Sequence, residues 1–254
     1  MRILALLILT SWFAASKAQP AYQLAPPLLR SSGLFFSDTA QATLSFAMAG
    51  ARIHYTLDGS QPTPASPLYQ QPLSITRHRT MLKAAVFADG YTPSTVVSQE
   101  FYAPGLRIAG VSGTLPHERY AAPASYLYNS QDGGTHHASG QWLGYQCDSI
   151  SWTIDLAGRQ PASQMMLHVL YNPSAWIFLP RQISVYNQAG SLLHTLQFTP
   201  EAQQPAGAKA LWLSFRKGQY RQLRVVIHPL NRIPDWHDGR GTPGWCFIDE
   251  LKVY

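Results

Sequence analysis

Charge is scarce in this chain: 13% of its 254 residues are Asp, Glu, Lys or Arg, barely more than the 12% that are aromatic, and only two are cysteine. So little charge beside so many aromatics excludes a solvated, disordered chain. The formal net charge of +6 comes from scattered Lys and Arg with no basic stripe, which excludes a nucleic-acid partner of the usual kind. Long apolar runs are missing too. The best candidate, residues 3–15, falls short of the roughly 20 residues a membrane span needs. Helical periodicity is almost absent, as are C-x-x-C or H-x-x-x-H metal spacings and a Gly-rich phosphate loop after a strand.

What the chain has is turn chemistry, with 19 Pro and 18 Gly between alternating apolar segments. Its first residues, MRILALLILTSWFAASKAQP, place one charge at Arg2, then an apolar run, then the small residues Ser16 and Ala18. That order predicts a secretory signal peptide over residues 1–18 and an exported protein, periplasmic or extracellular, with a net charge of about +4 after cleavage. No cysteine lies beside the cleavage site to receive a lipid. Export leaves two readings of Cys147 and Cys246. A bridge between them would close a loop of roughly 100 residues and stabilise by about 4 to 5 kcal/mol. The alternative is two buried thiols packing as small hydrophobes.

Residues 42–48, 52–57, 68–75, 80–87 and 94–102 alternate in polarity and are separated by Ala49-Gly50, Asp58-Gly59, Arg77-His78 and Asp89-Gly90. Five such segments predict a small β-sandwich over residues 19–104. Asp58 reads as a turn former and not as a catalytic acid, because Gly59 can take positive φ and Pro62 stiffens the exit. The stretch ARIHYTLDGSQPTPASPLYQQPLSI, with TMLKAAVFADGYTPSTVVSQEF after it, resembles the immunoglobulin-like domain at the C-terminal side of chitobiases and β-hexosaminidases. The likeness rests on the Y-T-x-D-G-x-x-P-T turn and the S-x-L-Y strand.

Residues 103–110 read as a linker, and the composition changes beyond it: Trp142, Trp152, Trp176, Trp212, Trp236 and Trp245 all follow. Segments 149–156, 164–171, 181–188, 192–198, 210–215, 221–230 and 245–254 read as strands, which predicts a β jelly roll over residues 105–254. Trp152, Trp212 and Trp245 alternate with apolar strand residues and read as core. Trp236 sits in a Pro- and Gly-rich loop and reads as exposed.

This half resembles the discoidin-like (coagulation factor type C, galactose-binding-like) domain that follows the immunoglobulin-like module in bacterial family 20 β-hexosaminidases. Its motifs occur in order: W-x-G at Trp142, I-D-L at Ile154, W-I-x-x-P at Trp176, P-x-W-H-x-G-x-G at Pro234 and a closing W-x-F-x-D-E at Trp245. The implied fold class is all-β, a small immunoglobulin-like β-sandwich followed by a discoidin-like β jelly roll.

In those hexosaminidases a catalytic barrel with an adjacent Asp-Glu pair precedes the two modules. Such a barrel needs roughly 250 residues, and none are expected ahead of residue 19. The adjacent pair in this chain, Asp249-Glu250, falls on the last strand, where period-two alternation predicts opposite faces. A glycosidase pair must flank one bond. Cys246 with His237 lacks a nucleophile signature, and His136-His137 with His237 lack metal-ligand spacing. The expectation is a non-enzyme with no required cofactor.

Binding is better supplied, since sugars are gripped by aromatic faces together with planar hydrogen bonders. Trp236, His237 and Arg240 in one loop, Asn172 beside Trp176, and Tyr145 are the candidate ligand-binding residues. The expected partner is a glycan or glycoprotein, amino-sugar-containing if the resemblance is followed. The alternative is docking onto a separate enzyme or envelope component. The discoidin-like resemblance also implies a structural calcium, held by backbone carbonyls, the aspartate of an L-x-D-G turn and a glutamate on the last strand. Here Asn129 and Ser130 stand where that Asp-Gly belongs, and Glu250 matches the late glutamate. The lost carboxylate weakens the attraction for a hard cation.

Overall fold

The computed structural model describes residues 22–199 and 205–254, so the expected signal peptide lies outside the described residues. The first module has six strands: β1 (Leu28–Ser31), β2 (Ala40–Ser45), β3 (Arg52–Thr56), β4 (Leu73–Ile75), β5 (Arg79–Phe87) and β6 (Val97–Tyr102). They pair as two antiparallel sheets, β1-β2-β4 and β3-β5-β6. Alternation decides what each strand buries. On β2, Ala40, Ala42 and Leu44 face inward while Gln41, Thr43 and Ser45 face water. Ala40 and Ala42 share a core with Phe36, Ile75, Leu82 and Phe101. Burying each large side chain there stabilises by about 1.5–3 kcal/mol.

The Asp58 turn is built as the sequence indicates. Gly59 sits at φ +83, and Asp58 Oδ1 accepts from the backbone N–H and the hydroxyl of Ser60 at 3.0 and 2.6 Å. The hydroxyl bond leads in holding this carboxyl below its usual range, so Asp58 is committed to the turn.

Seven strands make the second module: β7 (Ile108–Gly113), β8 (Leu143–Tyr145), β9 (Ile150–Tyr171), β10 (Gln182–Asn187), β11 (Leu192–Gln197), β12 (Gly207–His228) and β13 (Cys246–Val253). Four of the expected segments have merged into two strands of 22 residues, β9 and β12, which pair with each other antiparallel. A straight strand of that length would run about 70 Å, roughly twice the width of a 150-residue domain. Both therefore bend. Gly158 at φ +100 and register breaks at Ser214/Gly218 and Tyr220/Gln222 mark the bend, and Pro161 lies within it.

Each long strand thereby serves two layers. The first half of β9 pairs with β7 and with the second half of β12, which pairs in turn with β10. The second half of β9 pairs with β13, and β13 with β8. Ile150, Trp152 and Ile154 from one half of β9 and Leu167 and Val169 from the other meet in a single core with Ile183, Leu213, Val225, Ile248 and Leu251. The product is an antiparallel β-sandwich of the jelly-roll kind.

Residues 108–110, expected in the linker, belong to strand β7. Glycine hides this strand from a reading by alternation, and at Gly113 the glycine is required. A Cβ there would lie 2.0 Å from the Ser151 carbonyl oxygen, and φ is +134.

The modules meet along an aromatic seam. Phe35 packs edge-on against His168 at 5.2 Å, Tyr102 lies 5.8 Å from Trp212, and the Arg79 guanidinium stands 4.8 Å over the same indole. Tyr254 stacks on Trp212 and donates its hydroxyl to Ala103 O at 2.9 Å. Trp212, expected in the jelly-roll core, is therefore a seam residue.

Candidate functional site

At one end of the second module, two loops bring the expected residues together. The first leaves β9 at Tyr171. Asn172 and Ile177 exchange backbone hydrogen bonds at 2.9 and 3.0 Å around a short 3-10 turn, Pro173–Ala175. Trp176 closes this turn in the left-handed region, φ 59, an unusual conformation for a bulky side chain. It is fixed there by its neighbours: Trp176 N–H donates to Pro173 O at 2.7 Å, and its carbonyl accepts from Trp245 N–H at 2.8 Å.

The second loop is PDWHDGRG, residues 234–241, and His237 ties it to the first. Gly239 N–H donates to His237 Nδ1 at 2.9 Å, so Nδ1 is an acceptor and the proton sits on Nε2. Nε2–H then donates to Pro173 O at 2.9 Å. Thr242 completes the turn, donating its hydroxyl to Gly239 O at 2.6 Å. The side chains of Asp235 and Asp238 accept no hydrogen bond among the described residues, so they do not close the turn as an Asx motif would.

The His237 ring lies 5.2 Å from Trp176 and 5.6 Å from Trp236 by ring centre, edge-on to both, and packs on Phe178 beneath. Trp176 and Trp236 are each 41% exposed. Gly239 backs the Trp176 ring so closely that a Cβ would fall 2.0 Å from its Nε1. Arg240 is exposed, and its guanidinium has no partner among the described residues. The loop end thus offers two part-open indoles flanking one committed imidazole, with a free cation in the same loop. Nothing in it supplies an activated nucleophile or a paired acid.

Of the expected ligand-binding residues, Trp236, Trp176, His237, Arg240 and Asn172 lie on these two adjoining loops. His237 serves there as a brace, both ring nitrogens being used. Tyr145 does not join them. It sits on β8 with the edge of its ring against Trp152, buried, and desolvation pushes its hydroxyl above the ordinary tyrosine range. The strand pairing Cys246↔Tyr145 turned its side chain inward, which no local signal announced.

Cys147 and Cys246 are both free thiols in the structure. Cys246 is fully enclosed, and burial pushes its thiol up to about 12.

The last strand departs from simple alternation. A register shift between Ile248 and Glu250 inserts Asp249 as an extra residue, so Asp249 and Glu250 both engage one loop, residues 129–134. Asp249 Oδ2 accepts from Gly133 N–H at 2.7 Å, and Glu250 Oε2 accepts from Ser130 N–H at 2.9 Å. The opposite faces expected of this pair are thus corrected by the bulge, although both carboxylates hold a loop and they do not flank one cleft together: Glu250 lines a cavity of about 290 Å³ with Ser130 and Lys252, and Asp249 does not. Burial raises the Asp249 carboxyl against the pull of His168, whose Nδ1 lies 2.7 Å from Oδ1, and raises Glu250 to about 7.

Asp132, His168 and Asp249 form the one His, Cys, Asp or Glu cluster among the described residues that could hold a metal ion, with one donor atom from each lying within 4.8 Å of the others. The sequence reasoning missed it because His168 lies mid-strand and Asp132 in a loop. In the set expected for calcium, Asn129 with Glu250, both side chains already have partners within the protein. Asn129 Oδ1 accepts from Gln131 N–H at 2.8 Å, its amide donates to Gln141 at 3.4 Å, and Glu250 faces Lys252.

Among known proteins, residues 31–98 match the model of the chitobiase/beta-hexosaminidase C-terminal domain. No curated protein matches the chain. Solved structures similar to it include the family 32 carbohydrate-binding module of AlyQ in complex with 4,5-unsaturated mannuronic acid, at 13% identity over 59% of this chain and 97% of that one, TM-score 0.36. A fucose binding module of Streptococcus pneumoniae is 10% identical over 59% of this chain and 94% of its own, TM-score 0.39. The second family 32 module of a GH31 protein, bound to GalNAc, is 10% identical over 58% and 98%, TM-score 0.38. No catalytic domain is found in these matches. Over residues 31–98, then, the chain carries the chitobiase/β-hexosaminidase C-terminal domain, and a second, larger antiparallel β-sandwich follows it.

Proposed function

We propose that this is an exported, non-catalytic carbohydrate-binding protein whose glycan lies across the loop end of the second module. One observation carries the reading: Trp176 and Trp236, both part-exposed, flank His237 on two loops that hydrogen bonds hold together. Indole faces stack on the C–H faces of a sugar ring, and a preformed pair avoids the cost of ordering two side chains on binding. Arg240 supplies planar donors for hydroxyl, acetamido or carboxylate groups of the ligand. The brace is built into the two loops, since His237 spends one nitrogen within its own loop and the other on the Pro173 carbonyl of its neighbour.

The test is a glycan array that includes amino sugars, fucosides and uronates, followed by calorimetric titration of the best ligand. Trp236→Ala and Trp176→Ala should each weaken binding by about tenfold or more, equivalent to about 1.4 kcal/mol. Array binding that survives both substitutions removes this site from consideration. A wild type that binds no glycan leaves protein docking as the function of this surface.

A further inference from the structure

Lys252 carries a buried cation at the seam between the modules. Its Nζ lies 3.2 Å from Glu250 Oε1 and donates to Ser130 Oγ at 3.0 Å, while Glu250 Oε2 accepts the Ser130 backbone N–H at 2.9 Å. The same ammonium stands 5.1 Å from the ring centre of Phe35, a residue of the first module. The Lys252 side chain is 5% exposed and that of Glu250 1%, so the pair is out of water. Burial on that scale is tolerated only where an opposite charge is close, and Glu250 Oε1, which accepts no hydrogen bond, is compensated by the ammonium 3.2 Å away. Here a carboxylate, a hydroxyl and an aromatic face surround one ammonium.

We propose that the Lys252 ammonium is the resident cation of this site: it stands in the place where the discoidin-like resemblance implies calcium, and it joins the last strand, the 129–134 loop and the first module without a divalent ion. Calcium takes six to eight oxygens at 2.3–2.6 Å. The side chains here do not present such a set. Glu250 spends one oxygen on an N–H donor, the Ser130 hydroxyl already accepts from Lys252, and Asn129 is engaged with Gln131 and Gln141. An ammonium and an N–H group pointing at the same carboxylate would also repel an incoming cation. Unlike a bound ion, a lysine cannot be removed by a chelator.

The experiment is thermal unfolding of the full chain in calcium and in EGTA, with elemental analysis for calcium after dialysis. The same measurements on Asp132→Asn separate any ion held by the Asp132, His168 and Asp249 group from one held by Glu250. The expected result is one midpoint in both buffers and no calcium retained by either protein. Lys252→Met leaves the Glu250 carboxylate buried without its partner and lowers the midpoint, and adding Glu250→Leu recovers part of the loss. Stoichiometric calcium retained by Asp132→Asn, or a midpoint that calcium raises in that variant, overturns the proposal. So does a Lys252→Met protein as stable as wild type. If Lys252→Met does not fold, it has shown the expected loss, and the calcium measurement on Asp132→Asn still decides.

Discussion

Gly239→Ala should separate ligand binding from stability. An ideal Cβ at Gly239 would lie 2.0 Å from Trp176 Nε1 and 2.8 and 2.9 Å from two carbons of the same ring. The backbone raises no objection, because the φ of Gly239 is not in the left-handed region that excludes alanine. The three nearest atoms all belong to the indole, and an indole 41% exposed has solvent to move into. Overpacking of a closed core costs about 1–3 kcal/mol. With an open exit the cost here should be about 1 kcal/mol or less, a fall in unfolding midpoint of roughly 2–4 °C for a protein of this size. Binding loses more, because one of the two stacking faces has swung away. Ring stacking contributes about 0.5–1.5 kcal/mol beyond the area buried, so the affinity should fall about tenfold once the lost contact area is included. Calorimetric titration and scanning calorimetry on the same preparation measure both quantities, and a shift in tryptophan emission reports the displaced ring. A displaced ring with unchanged affinity would refute the two-indole platform.

Two further predictions concern the frame that carries the loops. Gly113→Ala brings its Cβ to 2.0 Å from the Ser151 carbonyl, at a backbone angle alanine rarely adopts, and neither atom has anywhere to move. Denaturant titration should show a loss of roughly 3 kcal/mol or more, with the glycan affinity of the folded fraction unchanged; a loss below about 1 kcal/mol would mean that β7 is not held against β9 as described. For the thiols, a Cys246 pushed up to about 12 is about one part in ten thousand thiolate at pH 8 and is also enclosed, so alkylation of the native protein should reach Cys147 alone. Burial raises Cys147 too, and its labelling should be slow. After unfolding without reductant two thiols should react, and a count of zero would establish a bridge.

Much of the fold was legible because alternation is a local property of the sequence. β2, β3, β5, β10 and β11 begin and end within a few residues of the expected segments, and β2 shows the reason most plainly, burying one face and wetting the other. What stayed hidden depended on partners distant in sequence. The merging of segments 149–156 and 164–171 across Gly158 and Pro161 depends on β12 running alongside, which no window of β9 contains. The bulge that brings Asp249 and Glu250 to one loop defeats period-two counting by inserting a single residue. In the site, Trp176, Trp236 and Arg240 were readable as exposed loop chemistry. The bracing role of His237 was not, because it depends on the Pro173 carbonyl 64 residues away.

The two bent strands also settle how the second module can come apart. In an ordinary sandwich the layers are separate hydrogen-bonded ladders, and one can peel from the other at the cost of the apolar core between them. Here β9 and β12 run through both layers, so parting the sheets also breaks ladder hydrogen bonds at the bend. Sub-global opening is therefore confined to the strands paired on one side, such as β11 and β8. The proposed binding loops grow from the ends of β9 and β12 and from the start of β13, so they are rooted in both layers. A ligand bound across them would bear on both layers at once.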